Sequence, residues 1–179
     1  RIRRPQAACS MAKPGTNIPL NNCAVIQRWE LRPSTKNALS MLLPPLALIA
    51  AALFTGAAVY VSAVEQPARL GLDDAALLTE WKPAYKRGTL MQAPLAVIGG
   101  VLGLIVWWNT REALWLAGGI AMLANLPYTL LIIMPVNKRL TAMTPGDAAA
   151  RPLIQTWARL HAGRSALGVL ATVLYLAAS

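Results

Sequence analysis

Four stretches of the chain contain no Asp, Glu, Lys or Arg: residues 41–64, 88–110, 113–137 and 165–179. This segregation constrains the fold more than any motif does. A helix needs about 20 mainly apolar residues to cross a ~30 Å hydrocarbon core. The first three runs are long enough outright. The fourth is shorter, but the preceding "LHAG" and a snorkelling Arg164 extend its reach. A soluble bundle would need polar outer faces, and "LLPPLALIAAALFTGAAVYVSAV" offers none. Charged residues make up 13% of the chain, against about a quarter in an ordinary soluble domain. The sequence therefore predicts an all-α integral membrane protein, a four-helix transmembrane bundle, with spans at about 42–64, 89–109, 113–136 and 161–179.

The net charge of +10 does not indicate a nucleic-acid partner. Seven of the 17 basic residues lie in residues 1–40 and the rest sit at helix ends and in loops, as membrane topology requires. A groove that tracks phosphates would gather them on one surface. Residues 1–40 are basic, rich in Pro and Asn and without hydrophobic periodicity, so they read as a disordered tail preceding a membrane domain at 41–179. Met41 opens the first span directly, and the expectation is that it is the native start, with 1–40 as upstream sequence read through. Cys9 and Cys23, both in the tail, make no zinc, haem or iron–sulfur spacing with the single histidine. The sequence calls for no metal and no cofactor.

From Met41 onward, Pro44 and Pro45 suit a first helical turn, where a missing N–H costs little. Gly99 and Gly103, four apart, suit close helix approach. "NTREA" is a tight connection that forces spans two and three antiparallel. The other connections read as long, 65–87 and 138–164, with a short helix in "DDAALLTEWKPAY" behind two acidic N-cap candidates. These two long loops carry Arg69, Lys82, Lys86, Arg87, Lys138, Arg139, Arg151, Arg159 and Arg164, whereas the opposite side carries only Arg111. Positive-inside bias places both long loops in the cytoplasm and the protein in the cell (inner) membrane.

That topology brings distant residues to one end of the bundle. Glu65, Gln92, Asn137, His161 and Arg164 converge there, with Trp81, Tyr85 and Trp157 at the same boundary. In "WARLHAGR", Trp157, His161 and Arg164 share one helical face. Glu65 with Arg164 or Arg87 is the expected ion pair, because ionisable groups at membrane depth face the interior and find partners. The plainer reading is an interfacial anchor of aromatic residues and a snorkelling arginine. In the third span, Asn125 and Thr129 lie one turn apart around Pro127, which cannot donate to the carbonyl of Leu123. Both are candidates to line a cavity.

The order "FTGAAVYVSAVEQPAR", "WKPAYKRGTLMQ", "PYTLLIIMPVNKRL", "WARLHAGRSALG" resembles the domain-of-unknown-function family numbered 1772, small four-span membrane proteins that include the anthrone oxygenases. The resemblance runs from about Met41 to the C-terminus. It matches Gly56, Glu65 and Pro67 at the end of span one, and Trp81 and Tyr85 in a W-x3-Y element. Pro127, Thr129, Pro135 and Asn137 match in span three, and Trp157, His161 and Arg164 in the final element. Family members also carry Asn where this chain has His161, so the resemblance does not make histidine an obligatory base. It implies cofactor-independent oxidation of a small hydrophobic aromatic or phenolic compound. His161 would then be the base, Arg164 and Asn137 would hold the oxyanion, and Glu65, Trp81, Tyr85, Gln92, Asn125, Thr129 and Trp157 would line the substrate site. The competing class is a non-catalytic membrane protein, a binding, transport-accessory or assembly factor whose polar residues lock helices together. Membrane lipid is a partner in either case, and the sequence does not specify an oligomeric state. The two classes differ in one structural feature, since a reaction site borders a cavity whereas a lock is filled by its own side chains.

Overall fold

A computed structural model describes residues 35–179. The expectations for residues 1–34, including Cys9 and Cys23, lie outside the described residues. Residues 40–179 form one compact unit. Among the described residues every regular element is helical. In chain order they are α1 (Thr35–Tyr60), α2 (Gln66–Leu70), α3 (Asp74–Thr110), α4 (Ala113–Tyr128), α5 (Met134–Ala142) and α6 (Ala150–Ala177). Widened π-turns at Val61–Glu65 and Thr129–Ile133 join α1 to α2 and α4 to α5 without a break. The result is four continuous membrane-spanning helices, Ser40–Leu70, Asp74–Thr110, Ala113–Ala142 and Ala150–Ala177. The protein is a multi-pass, four-helix membrane bundle.

Both π-turns end just before a proline. Gln66 N–H donates to the carbonyl of Val61, ahead of Pro67, and Met134 N–H donates to that of Thr129, ahead of Pro135. A proline has no N–H to return to the preceding turn, and a five-residue repeat lets the backbone absorb the mismatch. Pro127 lies inside α4, and Pro44 and Pro45 lie inside α1, not in its first turn, because that helix begins at Thr35.

The long loops expected at 65–87 and 138–164 are not loops. Within these two segments the chain turns only at residues 71–73 and 143–149, and the fourth helix begins at Ala150 rather than near 161. Most charged residues that interrupt the apolar runs lie inside the helices. At about 1.5 Å per residue, the 37 residues of α3 exceed a ~30 Å core by several turns. The acidic N-cap candidate is correct, since Asp73 Oδ1 accepts from the N–H groups of Ala75 (3.0 Å) and Ala76 (2.9 Å).

Packing divides the unit along its length. One core cluster gathers Ala47, Ala51, Phe54, Ala96, Val106, Trp115, Met122 and Tyr175. Glycines let the helices meet there. A Cβ at Gly99 would touch Ala50 and the backbone of Ala51 at 3.4 Å, and one at Gly103 would lie 1.8 Å from Tyr175 Oη. Tyr175 fills that notch and donates to the carbonyl of Gly99 at 2.9 Å. The second cluster holds Leu77, Leu78, Trp81, Ile133, Leu140, Ile154 and Trp157 at the extended ends of the helices.

Candidate functional site

Where the two clusters adjoin, a cavity of about 30 Å³ lies among side chains from all four helices. Its walls include Glu65, Trp81, Tyr85, Gln92, Asn137, Trp157, His161 and Arg164. Eight of the ten residues singled out from the sequence thus meet at one place. Asn125 and Thr129 do not line it. Asn125 is buried and turns its amide back on its own helix, donating to the carbonyls of Ala121 and Met122, both at 3.2 Å. Its amide nitrogen is spent on its own helix and not on a ligand surface.

The expected ion pair between Glu65 and Arg164 or Arg87 is also replaced. Glu65 pairs with Arg69, four residues on, and Arg69 pairs in turn with Glu80 of α3. Arg69 Nη1 donates to Gln66 Oε1 at 2.7 Å. Residues 66–70 are helical, so Glu65 and Arg69 share a face. The three-residue turn then brings Glu80 back alongside them. Arg69, only 3% exposed, is therefore bracketed by two carboxylates. Arg164 has no ion-pair partner among the described residues. Its guanidinium lies 5.5 Å over the ring of Phe54.

Aromatic rings form the other wall. Tyr85 stacks on Trp81 with centroids 4.9 Å apart, Trp81 meets Trp157 edge-on at 5.8 Å, and Trp157 stacks on His161 at 4.9 Å. Their spacing follows from helical repeats, Trp81 to Tyr85 on α3 and Trp157 to His161 on α6.

Behind His161 stand two serines that no sequence motif marks, Ser62 against the ring and Ser165 against Ser62. The His161 Nδ1 lies 3.2 Å from Ser62 Oγ, and Ser62 donates to the carbonyl of Ala58 at 3.1 Å. Ser165 donates to the same carbonyl at 3.1 Å. A serine hydroxyl has a single proton, so with that proton on Ala58 the Ser62 oxygen accepts from His161 Nδ1–H. Ser62 Oγ also lies 3.1 Å from Ser165 Oγ; in the orientation with the Ser62 proton on Ala58, His161 carries its proton on Nδ1 and Nε2 keeps a free lone pair.

Six buried side-chain polar atoms find no partner among the described residues, and five belong to cavity walls: Trp81 Nε1, Gln92 Oε1, Asn137 Oδ1, Trp157 Nε1 and Arg164 Nε. The sixth, Asn125 Oδ1, belongs to the residue just described. An unmade hydrogen bond on a buried group costs about 1–3 kcal/mol, and such groups are rare in folded proteins. All five border one space. The set offers N–H donors, amide acceptors, a guanidinium cation and an imidazole. That combination can bind a polar edge of a molecule, take a proton from it and hold the resulting negative charge.

The family model for anthrone oxygenase matches residues 81–174. The curated anthrone oxygenase of Claviceps purpurea (strain 20.1) is 31% identical over 144 residues, covering 72% of this chain and 83% of its own. No solved structure gives a significant match. The segment matched by the family model includes seven of the eight cavity residues singled out above, from Trp81 to Arg164; Glu65 precedes it.

Proposed function

Because the chain belongs to the anthrone oxygenase family, we propose that it oxygenates an acidic C–H group of a small fused aromatic compound, without a cofactor, at the cavity between its helices. The observation that carries this reading is the cluster of five partnerless polar atoms, Arg164 Nε among them, that shares the cavity with His161. A helix lock would satisfy its own polar groups.

An anthrone serves as the model substrate. Its methylene lies between two aromatic rings, and its carbonyl spreads the charge left after deprotonation. His161 Nε2 removes one methylene proton, and Arg164 with Asn137 holds the enolate oxygen. The carbanion gives its electrons to dioxygen and a C–O bond forms. His161 returns its proton to the distal peroxide oxygen. Loss of the second methylene proton then breaks the O–O bond, and water leaves as the new carbonyl forms. One anthrone and one dioxygen yield one anthraquinone and one water. The carbon is oxidised by four electrons, which dioxygen accepts. The protein supplies the base, the cation and a site shielded from bulk water.

The loop charges support an orientation with residues 71–73 and 143–149 on the cytoplasmic face of the cell membrane, which puts the cavity near that face. The test is an oxygen-uptake assay on purified, detergent-solubilised protein with an anthrone and a panel of polyphenols. The reading predicts enzyme-dependent uptake with anthraquinone formed in equal amount. Uptake no faster than the uncatalysed reaction for every compound would leave the non-catalytic binding or assembly reading.

A further inference from the structure

The cavity and a fused aromatic substrate do not match in size. About 30 Å³ accommodates about two waters, whereas small-molecule sites typically measure about 300–1,000 Å³. The missing volume lies alongside. A groove of about 460 Å³ runs between the first helix and α3, and Val61, Glu65, Ala84, Gly88 and Gln92 line both the groove and the cavity.

We propose that this groove binds the ring system of the substrate, which enters sideways from the bilayer and extends only its reacting edge into the cavity. This assignment rests on the oxygenase reading above. The geometry of the two helices supports it. They touch where Gly99 meets Ala50 and Ala51. Gly88 lies about three turns further along the same face of α3. There, and at Gly56 on α1, an added Cβ would meet nothing within 4 Å. The helices are in contact at one level and parted at the other. Glycine is a poor residue for a helix interior, and at these two positions packing does not require it. Its effect is to keep the gap unfilled.

The polarity of the groove selects the occupant. Gly88 begins the charge-free run 88–110, and Arg87 is the last charge before it, so the groove straddles the edge of the hydrocarbon core. Gly56, Tyr60 and Met91 line its apolar part, whereas Glu65 and Gln92 lead to the partnerless polar atoms. A flat apolar ring system with oxygens on one edge uses both parts. A lipid acyl chain uses only the first.

The test is binding, measured apart from turnover. The full chain in lipid nanodiscs is titrated with anthraquinone, an electron acceptor that quenches tryptophan fluorescence. The titration is repeated for Gly56→Phe, which fills only the outer groove, and Gly88→Leu, which closes the junction. Saturable quenching by the unmodified protein is expected. Each variant should bind about tenfold more weakly or worse, with an unfolding midpoint equal to or above the original. Unchanged affinity in the variants overturns the groove assignment and leaves the groove to lipid. A lowered midpoint in both variants also overturns it, because the gap would not be open space. If the unmodified protein shows no saturable quenching, the oxygenase reading itself fails, and the groove assignment fails with it.

Discussion

The two levels of this bundle treat their polar and small residues in opposite ways. At the level of Gly99 and Gly103, glycines admit a neighbour that fills them, and the Tyr175 hydroxyl has its partner in the Gly99 carbonyl. At the level of Gly88 and His161, Gly88 has open space beside it and five polar atoms lack partners among the described residues. The first level is assembled for contact. On the proposed reading the second keeps binding capacity open at a cost in stability, as a site does and a core does not. Substitutions at the two levels should therefore separate stability from turnover.

The largest effect is expected at Arg164. Arg164→Leu should lower anthrone turnover about a thousandfold, the upper range for losing a group that holds an oxyanion. Its unfolding midpoint should stay the same or rise, because a buried cation without an ion-pair partner is being replaced by an apolar side chain. Steady-state kinetics and a thermal melt on one preparation check both halves. Next comes Gly103→Leu, which drives carbon into the Tyr175 ring and should destabilise by about 3 kcal/mol, the top of the usual range for overpacking. A melt indistinguishable from the unmodified protein would mean that the contact level is not tightly packed.

Arg69→Met should cost about 2 kcal/mol by leaving Glu65 and Glu80 facing each other. The value lies below that for a fully buried pair because the Glu80 side chain is 40% exposed. Adding Glu80→Gln should recover part of the loss, and strict additivity would show that the bracket is not a unit. The smallest effect is expected behind the histidine. Ser62→Ala should slow turnover about tenfold by releasing the Nδ1–H tautomer, and Ser62→Thr should restore it. Equal rates in all three proteins would remove Ser62 from the positioning of His161.

The four-helix membrane fold is legible because charge is absent over long runs, and that signal survives any detail of packing. The helix ends are not. Arg151, Arg159 and Arg164 break the apolar pattern of "RPLIQTWARLHAGR", yet α6 runs through all three. The Arg151 guanidinium is satisfied outside its own helix, by Asp74 at 2.7 Å and by the carbonyls of Leu70 and Leu72. Convergence of Glu65, Gln92, Asn137, His161 and Arg164 is readable from topology alone, because antiparallel spans bring alternate helix ends together. Their pairing is not, since Arg69 reads as one loop charge among several until residues 66–70 are known to be helical. Ser62 and Ser165 leave no sequence signal either. Serines in membrane helices commonly bond back to their own backbone, as Ser62 does to Ala58, and only the fold reveals the imidazole beyond.

The claim that the polar level is a site and not a lock is tested most directly at Asn137. Asn137 is 2% exposed, its Oδ1 has no partner among the described residues, and leucine matches its branching and number of heavy atoms. Oxygen uptake with an anthrone and the unfolding midpoint are measured together for Asn137→Leu and the unmodified protein. The account predicts at least a hundredfold loss of rate with an equal or higher midpoint, since the substitution removes an oxyanion partner and relieves an unsatisfied group. A lowered midpoint with a rate that falls only in step with it would identify Asn137 as part of a structural lock and contradict the account.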